Sequence, residues 1–269
     1  MTQSACGATR TDPASERRVW RPTSRFEAGA PRLGAMTTAV PAPPATATVR
    51  RWFIVNAVVA WLGLTVQLVV TALGLYPNTD GDRHLFGPGN MLGAAGALGR
   101  VLDFLSYFTI WSNIVVAVTV TMLALQPRRD DQLMRVLRLS ALLMITVTGL
   151  IYAIVLAPTN NPQGWAFVAD RLLHMVTPLL TVIVFVAVGP RRWFSLRIVE
   201  LSLIVPTIWL SFALARGAVI DAWPYPFMIA ATLGYPRVLA NIVGVLVVAL
   251  VVATLLWGID RLLSRRTAA

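Results

Sequence analysis

Lysine is absent from this chain of 269 residues, and all 23 of its basic side chains are arginines. Cysteine occurs once, at Cys6, which excludes an intramolecular disulfide and a cysteine-based metal site. With only two histidines in the chain, we expect no metal site and no cofactor. Charged residues make up 13% of the sequence, whereas soluble domains carry about 25%. This shortage of charge indicates a protein surrounded by lipid.

The net charge of +11 has the sign of a nucleic-acid-binding protein, but the arrangement of the arginines does not fit one. They lie in the N-terminal segment and in clusters between apolar runs, which is typical of membrane topology. A basic face with interleaved aromatic residues, as nucleic-acid binding requires, is missing. We therefore predict membrane lipids, and no nucleic acid, as the partners.

Six apolar runs separated by short polar segments occupy residues 50–260. A helix of about 20 apolar residues spans a bilayer, and each run has roughly that length. Transmembrane strands are shorter and alternate strictly, so the sequence predicts an all-α, six-helix membrane bundle. The predicted spans are residues 52–76, 101–126, 139–157, 172–189, 198–215 and 238–259.

The arginines near the ends of these runs are unevenly divided between the two sides of the membrane. Five lie on the side of the longer loops, and more than twice as many lie on the other side. Because cytoplasmic loops are enriched in basic residues, we place both termini in the cytoplasm and the protein in the plasma membrane. The five predicted outer arginines are Arg83, Arg100, Arg171, Arg216 and Arg237.

The two terminal segments are predicted to lie outside the bundle. Residues 1–49 are rich in Ala, Pro, Thr and Arg without a sustained apolar period, so we expect disorder there. Since nothing before Met36 resembles part of the fold, we also hypothesise that translation begins at Met36. Residues 261–269 form a short basic tail on the cytoplasmic side.

Polar side chains inside the runs form two stripes that start at the predicted outer end. A polar group in hydrocarbon is costly unless it faces the interior of a bundle, so these stripes locate that interior. On the second run the stripe consists of Asp103, Ser106, Thr109 and Asn113. On the fourth run it consists of Asp170, His174, Thr177 and Thr181.

These stripes contain the components of a nucleophilic site. A hydroxyl becomes a nucleophile when a neighbouring base accepts its proton, and histidine is suited to that role. We therefore consider Thr109 as nucleophile, His174 as base and Asp170 as the group that orients the imidazole. Asp103 is expected to pair with Arg171. The alternative is that these residues only form hydrogen bonds between packed helices.

Three stretches resemble the androgen-induced membrane protein family, whose members have six helices and include threonine-dependent hydrolases of fatty acid esters. They are residues 104–113 (FLSYFTIWSN), 173–179 (LHMVTPL) and 223–227 (WPYPF). The resemblance covers roughly residues 50–260. Within the family, the chain is more similar to the bacterial relatives. It implies Thr109 as the nucleophile and His174 as the base.

The leading hypothesis is therefore a membrane-embedded hydrolase of fatty-acyl esters, with Asn113 in the polar stripe and Tyr225 at the mouth of the site. A small transporter or channel is the first alternative, with Asp103 and Glu200 as proton or ion sites. A non-catalytic membrane scaffold is the second, in which the polar residues serve packing alone.

Overall fold

A computed structural model describes residues 47–75, 82–87, 89–91, 93–158 and 160–266 of the chain. Residues 1–46 of the predicted disordered segment, Met36 among them, and the last three residues lie outside the described residues. Residues 47–49 are helical rather than disordered, because they form the first turn of the first helix. All structural statements below refer to the described ranges.

Six helices are long and apolar enough to cross a membrane, which confirms the predicted all-α, six-helix membrane fold. A short helix precedes the second span, and a single helical turn, Ala230–Leu233, precedes the last one. In chain order the longer helices are α1 (Ala47–Leu73), α2 (Ala97–Phe104), α3 (Phe108–Leu125), α4 (Gln132–Leu156), α5 (Gly164–Val188), α6 (Leu196–Ile220) and α7 (Tyr235–Arg266). Within the described ranges no strand occurs, and β-type pairing is limited to one bridge between Leu85 and Trp223.

Several helices extend beyond their apolar runs into polar sequence. α4 begins at Gln132 rather than at residue 139, because the Asp131 carboxylate accepts a hydrogen bond from the Met134 amide at 2.8 Å and caps the helix. α7 continues to Arg266, so the first residues of the predicted tail are helical. Arginines extend from such helix ends to the membrane–water border, which lets a helix be longer than its apolar part.

Small residues allow α1, α3, α4 and α5 to approach closely at the centre of the bundle. Ala60, Ala117 and Ala141 are fully buried in one cluster of apolar side chains. A Cβ atom added at Gly63 would lie 3.2 Å from the side chain of Leu173, and one at Gly149 would lie 3.2 Å from Pro178. Close approach of small residues is a common source of stability between helices in lipid. It also brings α5, which carries His174, against the neighbouring helices.

Hydrogen bonds tie the ends of neighbouring helices together and define the two ends of the bundle. Arg50, near the start of α1, donates from Nε to the Ala124 carbonyl at the end of α3, at 3.0 Å. At the opposite end, Arg100 donates to the carbonyls of Thr71 and Ala72 at the end of α1, at 3.0 and 2.8 Å. We refer to the end containing Arg100 as the predicted outer end.

Candidate functional site

The second predicted span is interrupted, which the sequence did not reveal. We expected a continuous helix over residues 101–126, but α2 ends at Phe104 and α3 begins at Phe108. The Leu105 carbonyl at the break accepts from the Trp111 indole at 2.7 Å, and the Ser106 carbonyl accepts from the Trp209 indole at 3.0 Å. Irregular backbone is tolerated at membrane depth only where the protein satisfies its polar groups in this way.

The break places Thr109 in the first turn of α3, where backbone amides lack partners within the helix. The Tyr225 hydroxyl fills that role, since it accepts from the Thr109 amide at 3.3 Å and lies 3.5 Å from Thr109 Oγ1. Burial raises the pKa of the Tyr225 phenol above its ordinary value, so it stays protonated at neutral pH. Its proton is available to an acceptor beside Thr109.

His174 lies next to the Thr109 hydroxyl, although 65 residues separate them in sequence. The distance from Thr109 Oγ1 to His174 Nε2 is 3.1 Å. The other ring nitrogen, Nδ1, lies 3.1 Å from a carboxylate oxygen of Asp170 and 3.1 Å from the Asp170 carbonyl. Because both of these neighbours are acceptors, the proton is assigned to Nδ1, which leaves Nε2 free to accept from Thr109.

A local widening of α5 accompanies this position of His174. Leu172–Val176 form a single π-helical turn, a feature that often occurs at functional sites. Pro178 has no N–H group with which to bond the carbonyl of His174, four residues earlier, so a regular α-helical bond is impossible there. A second π-turn, Tyr152–Leu156, ends α4. The rings of Tyr152 and His174 stack between these turns with centroids 4.2 Å apart.

Asp170 is held by two residues that sequence reasoning missed. The Tyr152 hydroxyl donates to its Oδ2 at 2.5 Å, and the Asn160 amide donates to its Oδ1 at 3.0 Å. Asp170 itself is 6% exposed, so these bonds compensate the burial of its charge. Tyr152 lies in an apolar run and Asn160 in a loop, and neither position carries a pattern that predicts the contact.

Asn113 connects the two helices that carry the threonine and the histidine. Its side-chain amide donates to the Thr109 carbonyl at 2.8 Å and to the Leu173 carbonyl at 3.2 Å. Asn113 is fully buried, one helical turn below Thr109. It therefore fixes the spacing of α3 and α5 at the level where the hydroxyl and the imidazole meet.

Asp103 does not pair with Arg171, and this prediction is wrong. Its carboxylate lies 2.6 Å from Arg216 at the end of α6 and also accepts from the Asn90 side chain at 2.6 Å. Arg171 instead lies over the ring of Phe167, 4.8 Å from its centroid. The sequence placed all these groups at the outer border, but it could not specify how the loop residue Asn90 and α6 are arranged there.

Replacing Asp103 with asparagine is expected to destabilise the protein by about 3 kcal/mol, because the partly buried Arg216 loses its counter-charge. The two side chains are 12% and 18% exposed. Thermal unfolding of the purified protein in detergent measures the change. Asp130→Asn is the matched control, since Asp130 pairs with Arg135 at a site where both are about 40% exposed and worth at most about 1 kcal/mol. Equal losses of stability in the two variants would contradict a buried ion pair between Asp103 and Arg216.

Two predicted outer loops close over the site. Phe86 N donates to the Trp223 carbonyl at 3.2 Å, and Trp223 N donates to the His84 carbonyl at 2.7 Å. Gly217 makes room for the Trp223 indole, because a Cβ atom there would overlap it. The ring of Tyr107 has edge contacts to Phe86 and Tyr225, with centroids 5.6 and 5.8 Å apart. These contacts cover Thr109 from the aqueous side.

An apolar cavity extends from Thr109 and Tyr225 into the bundle. Its volume is about 150 Å³. Its wall on α4 runs from Ile151 to Leu143, eight residues or about 12 Å along the helix. α6 and α7 supply the facing walls, with Leu203, Pro206, Thr207, Leu210, Ile242, Val245, Leu246 and Ala249.

The cavity opens sideways, toward the region that lipid would occupy. Thr207 on α6 and Leu246 on α7 both line it and are exposed on the surface of the bundle, Leu246 by 47%. Neither acid of the transporter alternative lines this space, since Asp103 is held by Arg216 and Glu200 lies on the exposed surface. Thr109 therefore lines an apolar cavity, and its hydroxyl contacts His174, which is not part of the cavity wall.

Comparisons of the chain with protein-family models, with curated proteins and with solved structures found no match. In the ranges given above, no three His, Cys, Asp or Glu side chains are grouped so that they could hold a metal ion.

Proposed function

We propose that this multi-pass membrane protein hydrolyses fatty-acyl esters, with Thr109 as the nucleophile and His174 as the general base. The observation that carries the proposal is the chain of contacts from the cavity through Thr109 and His174 to Asp170. Each link is within hydrogen-bond reach, at 3.1 Å from hydroxyl to imidazole and 3.1 Å from imidazole to carboxylate. A nucleophile, a base and an orienting acid in this order are the components of covalent hydrolysis.

The first half of the reaction transfers the acyl group to the protein. Thr109 Oγ1 attacks the ester carbonyl carbon while its proton passes to His174 Nε2, and the carbonyl oxygen becomes an oxyanion. When the tetrahedral intermediate collapses, the bond to the alcohol oxygen breaks and His174 returns the proton to that oxygen. Asp170 stabilises the imidazolium formed between these two steps. The products are a free alcohol and an acyl-Thr109 ester.

The second half releases the fatty acid. His174 Nε2 accepts a proton from a water molecule, the resulting hydroxide attacks the acyl carbon, and the bond to Thr109 Oγ1 breaks. The proton on His174 returns to Thr109, and the carboxylic acid leaves. The aliphatic walls of the cavity suit an acyl chain that enters from the bilayer between α6 and α7. With the predicted orientation, the ester lies in the outer leaflet of the plasma membrane.

Tyr225 supplies a donor for the oxyanion. Tyr225 lines the cavity, and its hydroxyl lies 3.5 Å from Thr109 Oγ1. The hydroxyl accepts from the Thr109 amide, so its own proton remains available for donation. Trp223, two residues earlier on the same loop, is 3% exposed and helps to close the mouth. A preorganised donor beside the attacking oxygen stabilises negative charge that develops only during the reaction.

Tyr225→Phe is expected to lower kcat for ester hydrolysis by about 100-fold with little change in KM, because one oxyanion donor is removed while the apolar walls persist. Steady-state kinetics with a water-dispersed long-chain ester measures both constants. Tyr235→Phe, at the exposed start of α7, is the matched control and should retain wild-type kcat. An unchanged kcat in Tyr225→Phe would remove Tyr225 from the mechanism without affecting Thr109.

The proposal as a whole is tested by covalent labelling. A fluorophosphonate reacts with activated hydroxyl nucleophiles, so purified protein in detergent is expected to acquire one label, located by mass spectrometry on Thr109. Prior incubation with a long-chain ester should slow the labelling. A protein that neither labels at Thr109 nor hydrolyses any long-chain ester would refute the proposed function.

A further inference from the structure

A second, polar cavity lies at the opposite end of the bundle, where the turn between α5 and α6 meets the last turns of α7. Its volume is about 340 Å³. It is lined by Arg192, Phe194, Asp260, Arg261, Ser264 and Arg265. The lining includes three arginines and one aspartate, so the cavity carries excess positive charge at neutral pH.

The aspartate of this cavity accepts hydrogen bonds from the backbone of the turn between α5 and α6. Asp260 is 1% exposed, and its two oxygens accept from the amides of Arg192 and Phe194 at 3.2 and 3.4 Å. Arg192 has a left-handed conformation with φ of 61°, which is unfavourable for a residue other than glycine. The bond to Asp260 holds this strained turn against α7, with Arg192 on the cavity wall.

The arginines that line the cavity have no acidic ion-pair partner among the described residues. In the part of the chain that the structure describes, no carboxylate forms an ion pair with the guanidinium of Arg192, Arg261 or Arg265. Arg261 lies over the Trp257 ring, 4.2 Å from its centroid, which fixes its stem beside the cavity. Arg191, by contrast, is committed to the carbonyls of Phe185 and Val186 at the end of α5.

The surroundings of the cavity match a lipid better than a free anion. Leu255 and Leu262, one on each side of Trp257 in sequence, are each 60% exposed on α7. They are two helical turns apart and therefore lie on one face of the helix. Guanidinium groups bind phosphate, and basic pockets at the cytoplasmic ends of membrane helices accept anionic headgroups. Leu262 is three residues before Arg265 and therefore adjoins that arginine on the helix surface. A headgroup held by Arg265 would have this exposed leucine beside its acyl chains.

We infer that this cavity binds the phosphate headgroup of an anionic phospholipid. The inference does not depend on ester hydrolysis, because the site lies at the other end of the bundle from Thr109. With the predicted orientation, the cavity faces the cytoplasmic leaflet, which carries the anionic lipids.

The test uses the full chain in neutral detergent, titrated with a short-chain diether phosphatidylglycerol that contains no ester to hydrolyse. Binding, followed by native mass spectrometry, is expected to be saturable, whereas the phosphatidylcholine analogue should not bind. Arg192→Gln with Arg261→Gln should weaken binding by about 25-fold, or about fivefold for each arginine. Arg261→Gln alone, at an exposed position, should weaken it about fivefold, and thermal unfolding of this variant checks that the fold is retained.

The control variant also loses two positive charges at this end of the bundle, but outside the cavity. Arg51→Gln with Arg128→Gln changes two exposed arginines outside the cavity and should alter binding by less than twofold. An equal loss in this control would show diffuse attraction and overturn the site. Displacement of the lipid by inorganic phosphate at the same concentration would overturn the assignment to a lipid. Unchanged binding in the cavity variants would overturn both.

Discussion

Thr109→Val is expected to lower kcat/KM for ester hydrolysis by about 10⁴-fold or more, because it removes the attacking oxygen and keeps the branched shape. Thr109→Ser retains a hydroxyl at the same atom of the chain and should stay within about tenfold of the wild type. Both variants should unfold at temperatures close to that of the wild type. Steady-state kinetics and thermal unfolding in the same detergent separate the two effects.

The matched control for this experiment is Thr181→Val. Thr181 is also fully buried inside the bundle and donates to Asn56 Oδ1 at 3.2 Å, but it does not line the cavity. Its substitution should leave kcat/KM unchanged. Equal activity of Thr109→Ser and Thr109→Val would exclude Thr109 as the nucleophile. Absence of ester hydrolysis in the wild type and in both variants would favour the scaffold interpretation of the polar residues.

His174→Ala is expected to lower kcat by about 10³-fold, because no other base lies within reach of Thr109 Oγ1 among the described residues. Removal of the ring leaves a space beside Tyr152 and Asp170 that suits a small imidazole. Added imidazole should therefore restore part of kcat, with a saturable dependence on its concentration. A purely structural histidine would not give this recovery, so the rescue distinguishes a base from a packing residue.

Two controls define the result for His174. Thr109→Val should not respond to imidazole, since it lacks the oxygen that the base activates. His84→Ala changes the only other histidine, which contacts Asp221 in a predicted outer loop, and should keep nearly full activity. Full activity of His174→Ala without added imidazole would exclude His174 as the general base.

The six spans were predictable because the bilayer imposes a minimum length of apolar helix, which leaves a strong signal in the sequence. Helix ends were less predictable, since they depend on capping and on long arginine side chains. Arg138 illustrates this: the sequence places it among loop arginines, whereas it lies inside α4 and is 1% exposed, near the rings of Phe53 and Phe185. Local composition does not specify such a tertiary environment.

For the site, the sequence supplied the residue types and their depth. Asp170, four residues before His174, was predictable as its neighbour because helical spacing places both on one face. The interruption at residues 105–107 was not, because the indoles that satisfy it, Trp111 and Trp209, are 98 residues apart in sequence. The same holds for Tyr225, which reaches Thr109 across 116 residues. Long-range contacts of this kind follow from the assembled bundle rather than from any local pattern.

The interruption before α3 also has a consequence for biosynthesis. Thr109 enters the membrane with the second span, His174 with the fourth, and Tyr225 only after the fifth has been inserted. Until the ribosome has delivered that later segment, the threonine has neither its base nor the phenol at its helix terminus. On the proposed mechanism, the nascent chain is therefore expected to be unreactive toward the surrounding lipids during insertion, and the site is completed as one of the last events of assembly.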